Sequence, residues 1–413
     1  MSSAKESVLS LQASRVVDLF SGGGGMSSGY YAHPAFELVG AADVEVGKPS
    51  TGHGAIGCND TYAANLKVDP LAVDLSVISA EELAEQLGPA KVEDLEVLLA
   101  CPPCTGFSRA ISKNWAEDDP RNSLVARVAD HVARMRPRIF MMENVPQLLN
   151  GNFRHHFAAL RENLRGMGYK VHAASHALSR FGLPQQRERA LVIAVAVDLP
   201  LYTLEDLWRG YEVKPEAVTV RRAIQHLPRV DAGETHPSDP NHTSTLLKGE
   251  SLERIAAMPR DGGSWPDLLG NAETEKYLIP SMWKAVERGR LNSYCDVYGR
   301  MAWDKPAPTI KRECSHVGNG RYSHPEQDRQ CTVRELGILQ GFPDDYIFTG
   351  GSRKNLYRQI GDAVPPLISY QLAGLAQWML TGEKPDLDQV VLPNTSLRAS
   401  DFVATEAAQL TLV

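Results

Sequence analysis

The feature that most constrains the fold lies near the start of the chain. An apolar run, "RVVDLF" (residues 15–20), carries Asp18 and passes at once into four glycines, Gly22, Gly23, Gly24 and Gly25. An apolar run of this length followed by a glycine turn and a periodic segment reads as a buried strand, a tight turn and a helix. The pattern recurs. "FELVGAADVE" (36–45), "LEVLLAC" (95–101), "RIFMMENV" (138–145) and "RALVIAVAV" (189–197) read as further buried strands. Segments 79–87, 122–135 and 153–167 carry apolar residues at helical spacing between them. Strands alternating with helices predict an α/β fold: a doubly wound, mostly parallel sheet covered on both faces.

At 413 residues the chain exceeds one ordinary core, so two domains are expected. Regular alternation fades after about residue 200. Residues 201–305 are rich in turns such as "PSDPNHTS" and "PRDGGSWPD", which predicts a smaller, loop-rich unit. Helical patterning returns at 332–342 and 355–381, and the chain from about 385 is weakly specified. Residues 46–59 interrupt the second strand–helix unit and read as a solvated insertion in preference to a mobile lid. There is no internal repeat. With 43% hydrophobic and 23% charged residues, no run long enough to span a membrane and no apolar leader, the protein is expected to be cytoplasmic, nucleoid-associated if bacterial. Six cysteines are too few for a disulfide scaffold. The net charge of −7 neither supports nor excludes a nucleic-acid partner, which depends on a local basic cleft.

Two places carry chemistry. The glycine loop lets backbone approach a ligand beside the free N–H groups of a helix start, and a strand-end carboxylate can hold a ribose. Asp43 is the first candidate for that carboxylate and Glu45 the second. The spacing departs from the usual dinucleotide fingerprint. The other place is "LLACPPCTGFSR" (98–109). A zinc site would need a second cysteine pair, and Cys58, Cys295, Cys314 and Cys331 are scattered. Cys101 ends an apolar strand and reads as packing. Cys104 follows two prolines at the carboxyl edge of the sheet, where doubly wound folds bind ligands, and reads as a lone nucleophile.

The segments "DLFSGGGGMSSGY", "PPCTGFS", "MENVPQLL", "GLPQQRERA", "RELGILQGFPDDY" and "QIGDAVPP" occur in order from residue 18 to 366. Together they resemble the S-adenosylmethionine-dependent C5-cytosine DNA methyltransferases. The resemblance implies a Rossmann-like catalytic domain (1–200 plus about 355–385), a target recognition domain (201–354) and a weakly specified tail (386–413). It implies transfer of a methyl group to C5 of a cytosine flipped out of duplex DNA, with Cys104 attacking C6. Glu143 would bond N3 and the exocyclic amine, against the simpler reading of a strand-end cap. Arg187 and Arg189 alternate at a strand start and so point the same way. Arg189 would reach the base and Arg187 a phosphate, against an ordinary solvated pair. The attack by Cys104 would be helped if neighbouring arginines and helix starts favour its thiolate.

The resemblance further implies a donor site of Phe20, Gly22, Gly23, Gly24, Gly25, Asp43, Val44, Asp74 on the third strand, Leu75, Pro103, Leu124, Asp362, Ala363 and Val364. Thr105, Ser108, Arg121 and Arg187 would meet the substrate, with Arg109 and Lys113 on a closing loop. Arg221, Arg222, Lys305, Lys311, Arg312 and Arg321 are candidate contacts to DNA. No metal is expected, and a monomer is. The family's usual Gln after the cysteine is Thr105 here, and Asp362 replaces an Asn in the last motif; tolerated variation is favoured over a changed donor for the latter. The alternatives are an RNA-directed enzyme of the same architecture, a catalytically silent DNA-binding homologue, and, weakest, a redox protein using both Cys101 and Cys104.

Overall fold

The computed structural model describes residues 13–45, 56–104, 106–107, 117–292 and 294–405. In chain order the elements that position the site begin with β1 (Ser14–Leu19), α1 (Gly25–Ala32), β2 (Phe36–Ala42), α2 (Cys58–Leu66), α3 (Ala80–Leu87) and β3 (Val97–Ala100). There follow α4 (Ser123–Met135), β4 (Ile139–Asn144), α5 (His155–Gly166), β5 (Tyr169–Ala177), β6 (Glu188–Ala196) and β7 (Tyr211–Val213). Then come β8 (Thr235–His236), β9 (Asp239–Thr243), α6 (Glu250–Ala257), α7 (Pro280–Glu287), α8 (Val333–Leu339), α9 (Arg353–Asp362), α10 (Pro366–Thr381) and β10 (Phe402–Ala404).

Six strands form one sheet in the order β2-β1-β3-β4-β6-β5. The pairs β1–β2, β1–β3 and β3–β4 are parallel, while β6 runs antiparallel to both β4 and β5. The reversal follows from the chain: residues 178–187 between β5 and β6 are too short for a crossover helix, so the two strands pair as neighbours. β5 escapes the apolar-run reading because it is an edge strand whose residues alternate and are mostly half-buried.

Alternation along the central strands divides the core between the two faces. Val16, Leu99, Ile139 and Met141 face α1 and α10, whereas Val17, Leu98, Phe140 and Met142 face α3, α4 and α5. α10 is apolar nearly all round and is buried accordingly. It lies so close to α1 that a Cβ on Gly29 would fall 2.1 Å from the Tyr370 backbone nitrogen.

The expected domain boundaries need correction. Leu204, Leu207 and Trp208 join the core under the sheet, and so do Val390, Leu397 and Phe402 from the stretch read as a weakly specified tail. β10 pairs antiparallel with β7, and Trp208 stacks on Phe402 at 4.0 Å. These residues are too sparse to show a period; contacts about 200 positions away order them. Conversely α9, expected with the sheet, contributes Tyr357 and Ile360 to a separate core with Val220, Ile224, Met301, Ile310 and Leu336. That second core is pinned by the buried pair Arg329–Glu335, 2.7 Å apart, while Glu335 also accepts from the Thr332 backbone N–H in a capping box. Among the described residues no helix is long and apolar enough to cross a membrane.

Candidate active site

The carboxyl ends of β1, β3 and β4 converge with the start of β6. At the end of β1, Phe20 and Gly22 adopt left-handed backbone, φ 58° and 51°. Gly22 donates its N–H to Asp43 Oδ2 (2.9 Å), and Glu45 N donates to Oδ1 (2.7 Å), so Asp43 just beyond β2 ties the glycine turn to the next segment. Glu45 in turn accepts from Asn59 N. Beside it Val44 is exposed at 40%, an apolar surface next to a carboxylate and an open turn.

The glycines separate by role. A Cβ on Gly22 would meet no atom within 4 Å, so this position faces open space. A Cβ on Gly25 would fall 2.3 Å from Val364 O, and one on Gly24 2.7 Å from the Leu66 side chain. Gly24 and Gly25 therefore serve close packing of the protein against itself, in place of the ligand approach expected for all four. Gly23 lies against Thr61 and Gln359, and its carbonyl accepts from the Tyr346 hydroxyl.

Two other donor-site expectations change. Leu75 is 2% exposed within the core and offers no surface. Asp74 lies not on the third strand, which is β3, but in an exposed turn whose Ser76 N–H it accepts; only Leu71 nearby bridges to the sheet, at Ala42. Leu124, Ala363 and Val364 are buried, and Pro103 is half-buried beside Cys104.

The turn that carries Cys104 is fastened from both sides. Cys101 N donates to Leu19 O, and Asn144 Nδ2 at the end of β4 donates to Pro102 O. Glu143 precedes Asn144 on β4, is 8% exposed, and forms an ion pair with Arg189 of β6 at 2.7 Å. Cys104 feels these charges. Burial pushes its thiol up, Arg189 and Arg187 draw it down, and Glu143 and Asp362 push it up again. The net direction is upward. Burial also pushes Cys101 well up, and all six cysteines are free.

Arg187 and Arg189 do not act alike. Arg187 precedes β6, is 2% exposed, and donates to Ile310 O (3.1 Å) and Ala363 O (3.0 Å). Burial lowers it to about 9, still a cation at neutral pH. Those two donors join the last motif to the sheet, and at 2% exposure Arg187 is turned inward in this structure, away from the phosphate contact expected of it. Gln185 and Gln340 complete the same junction, Gln340 donating to Ala363 O and Gln185 to Gln340 Oε1. Sequence reasoning passed over both glutamines, although each lies inside a quoted motif. Asp18, read from the sequence only as part of the first strand, is fully buried, bonded to Ser27, and raised to about 7 chiefly by burial.

Asp362 ends α9 and pairs with Arg312. Surrounding protein raises it to about 6 despite 36% residual side-chain exposure, with Arg312 and Arg187 opposing. Thus Arg312, offered as a DNA contact, balances the carboxylate in the last motif. Arg221 is likewise bound to Asp304, Arg222 lies 3.6 Å from Asp401, and Arg121 is clamped by Asp119 in its own turn. Arg321 bonds Gly262 O, Arg300 O and Ser264 Oγ and is structural. Lys305 and Lys311 are exposed. Thr105, Ser108, Arg109, Lys113 and most of the 46–59 insertion lie outside the described residues.

A six-stranded, mostly parallel sheet with a glycine turn and carboxylate at one strand end, and a cysteine facing a glutamate–arginine pair at the next, defines an α/β enzyme of the Rossmann-like class I methyltransferase type. The chain belongs to the C-5 cytosine-specific DNA methylase family, whose family model matches residues 14–377. It is 32% identical to the Type II methylase M.HgiDII of Herpetosiphon aurantiacus over 377 residues, covering 89% of this chain and 96% of that one. It is also 32% identical to the Type II methyltransferase M1.HphI of Haemophilus parahaemolyticus, covering 89% and 87%. Among solved structures, a prophage-encoded chain of E. coli described as a DNA modification methyltransferase shares the fold, with a TM-score of 0.61 at 22% identity over 90% of this chain and 100% of that one.

Proposed function

We propose that this protein methylates C5 of a cytosine flipped out of duplex DNA, with Cys104 as the nucleophile, Glu143 as the acid at N3, and Arg189 as the group that orients Glu143 and meets the base. The observation that carries this reading is the convergence of three elements: Cys104 beyond β3, and Glu143 on β4 paired at 2.7 Å with Arg189 on β6. Cytosine C5 is too weak a nucleophile to be methylated directly. The Cys104 sulfur adds to C6 as its thiol proton passes to the Glu143 carboxylate; the S–C6 bond forms, the ring electrons move toward C5 and N3, and Glu143 delivers the proton to N3. S-adenosylmethionine, when bound, supplies the methyl group to C5. Loss of the C5 proton to a base expels the Cys104 thiolate, and return of the N3 proton to Glu143 restores the neutral ring. Arg189 neutralises Glu143 in the resting state and keeps its carboxyl aimed along the cleft.

The donor site fits that cofactor. The open space at Gly22 accommodates a ligand against the turn, Asp43 suits ribose hydroxyls, and exposed Val44 offers a face for an adenine ring. Because Asp43 also holds Gly22, loss of its carboxylate would disturb the turn and the ribose contact together. Residues around the second core, with Lys305 and Lys311 exposed, are the proposed DNA-recognition region.

The test is transfer of label from S-adenosylmethionine to duplex DNA, with base-resolution mapping of 5-methylcytosine. Label in duplex DNA supports the reading, while transfer to RNA alone, or to neither, overturns it. DNA containing 5-fluorocytosine should trap the parent protein and Cys101→Ser as covalent adducts, and should fail to trap Cys104→Ser.

A further inference from the structure

Three side chains that the reaction does not use converge beside Phe107, three residues beyond Cys104. His155 and His156 open α5, and Asp118 lies in the segment leading into α4. The Nε2 atoms of His155 and His156 stand 3.3 and 2.9 Å from the same atom, Asp118 Oδ2, and the three donor atoms lie within 4.8 Å of one another. Ligand atoms held about 2.0–2.1 Å from a tetrahedral metal are ~3.3 Å apart, so the triad stands close to metal-ready spacing before any ion arrives. The carboxylate is fixed from behind: its other oxygen, Oδ1, accepts from Asn122 Nδ2 at 2.7 Å. An outer partner that orients a ligand in this way is typical of metal sites. The two imidazoles are held against each other, centroids 4.1 Å apart, with Phe107 edge-on to His156 and Phe153 edge-on to His155.

We infer that Asp118, His155 and His156 form a binding site for a divalent transition-metal ion of the zinc type. Two imidazoles and one carboxylate suit zinc, nickel or cobalt, whereas magnesium and calcium prefer all-oxygen sets. Three protein donors leave at least one position for water. Asp118 follows Cys104 by 14 residues in the sequence, so a bound ion would tie the start of α5 to the segment that follows the nucleophile. This site stands apart from the methyl-transfer reading and does not depend on it.

The experiment uses the full chain without a histidine tag. Zinc is titrated in competition with a colorimetric chelator, and cobalt is used as a spectroscopic substitute. One equivalent of zinc should be held. The cobalt spectrum should show nitrogen and oxygen ligation without the sulfur charge-transfer band that cysteines at 101 and 104 would produce. His155→Ala and Asp118→Asn should each weaken binding by at least ~10-fold. His155 is 62% exposed on its side chain, so its truncation leaves the fold intact. Zinc lost entirely to the chelator, a thiolate band, or unchanged affinity in His155→Ala would each overturn the assignment.

Discussion

Glu143 and Arg189 act on Cys104 with opposite sign, which allows a test that a merely structural pair would fail. At 2.7 Å and an effective dielectric constant near 20, their gross attraction is about 6 kcal/mol. Both side chains are largely buried, so removing one partner is expected to cost ~3–5 kcal/mol of stability, most of it from the charge left behind. Arg189 is the strongest influence drawing the Cys104 thiol down, and Glu143 is the strongest charge pushing it up. Arg189→Ala should therefore move the Cys104 titration to higher pH, and Glu143→Gln should move it to lower pH. A shift of one unit corresponds to about 1.4 kcal/mol between thiol and thiolate.

Turnover should nevertheless fall in both variants. Glu143→Gln removes the acid at N3, for which a loss of ~10²–10⁴-fold is expected, and this outweighs any gain in thiolate. Arg189→Ala removes thiolate and misaligns the acid together. The titration is read as the pH dependence of Cys104 alkylation, resolved by peptide mass spectrometry, and turnover as single-turnover methylation. Arg189→Lys should restore part of the titration shift, because it restores the charge without the planar fork. If both substitutions move the titration in the same direction, or if Glu143→Gln keeps turnover within ~3-fold of the parent, the assignment of these roles is wrong.

Two further expectations concern the framework. Gly25→Ala should displace the Val364 backbone and lower folding stability, because its Cβ would lie 2.3 Å from a carbonyl oxygen; Gly22→Ala meets no protein atom and should cost only ~1 kcal/mol of left-handed strain while its Cβ enters the space proposed for the donor and weakens donor binding, and equal losses of stability in the two variants by denaturant unfolding would contradict this division. Burial acts to raise Glu335, but Arg329 holds its folded-state pKa at about 2 against an ordinary 4.5, so its stabilisation is complete above pH 4.5 and is lost as the pH falls toward 2. Glu335→Gln should flatten that limb of the denaturant-stability profile while lowering stability at pH 7, and an unchanged acid limb would refute it.

Much of the sheet was legible because its strands are buried on both faces: "RVVDLF", "LEVLLAC" and "RIFMMENV" are nearly unbroken apolar runs, and their ends mark the edge where ligands bind. Helices over 79–87, 122–135 and 153–167 were equally readable, and α3, α4 and α5 occupy them. β5 was not legible, since an edge strand can alternate polar and apolar residues without exposing a core. The ordered stretch from Leu387 to Ala404 was also hidden, because its few apolar residues acquire meaning only against Trp208 and β7.

The motif residues show the same division at the scale of single side chains. Residue order alone set Cys104 apart from Cys101 as the candidate nucleophile and placed Glu143 near a strand end, because strand and turn follow one another locally. Which arginine faces the cleft was beyond it. Arg187 and Arg189 sit two apart, yet one precedes β6 and bonds Ile310 and Ala363, while the other lies on β6 opposite Glu143. Likewise Gly25 and Gly22 are alike as residues, and only the backbone of Val364 distinguishes them. Local sequence determined the strands, the turns and the chemistry available at their ends. Tertiary structure decided which of those groups were consumed by packing and which were left to act, because that depends on neighbours more than a hundred residues away.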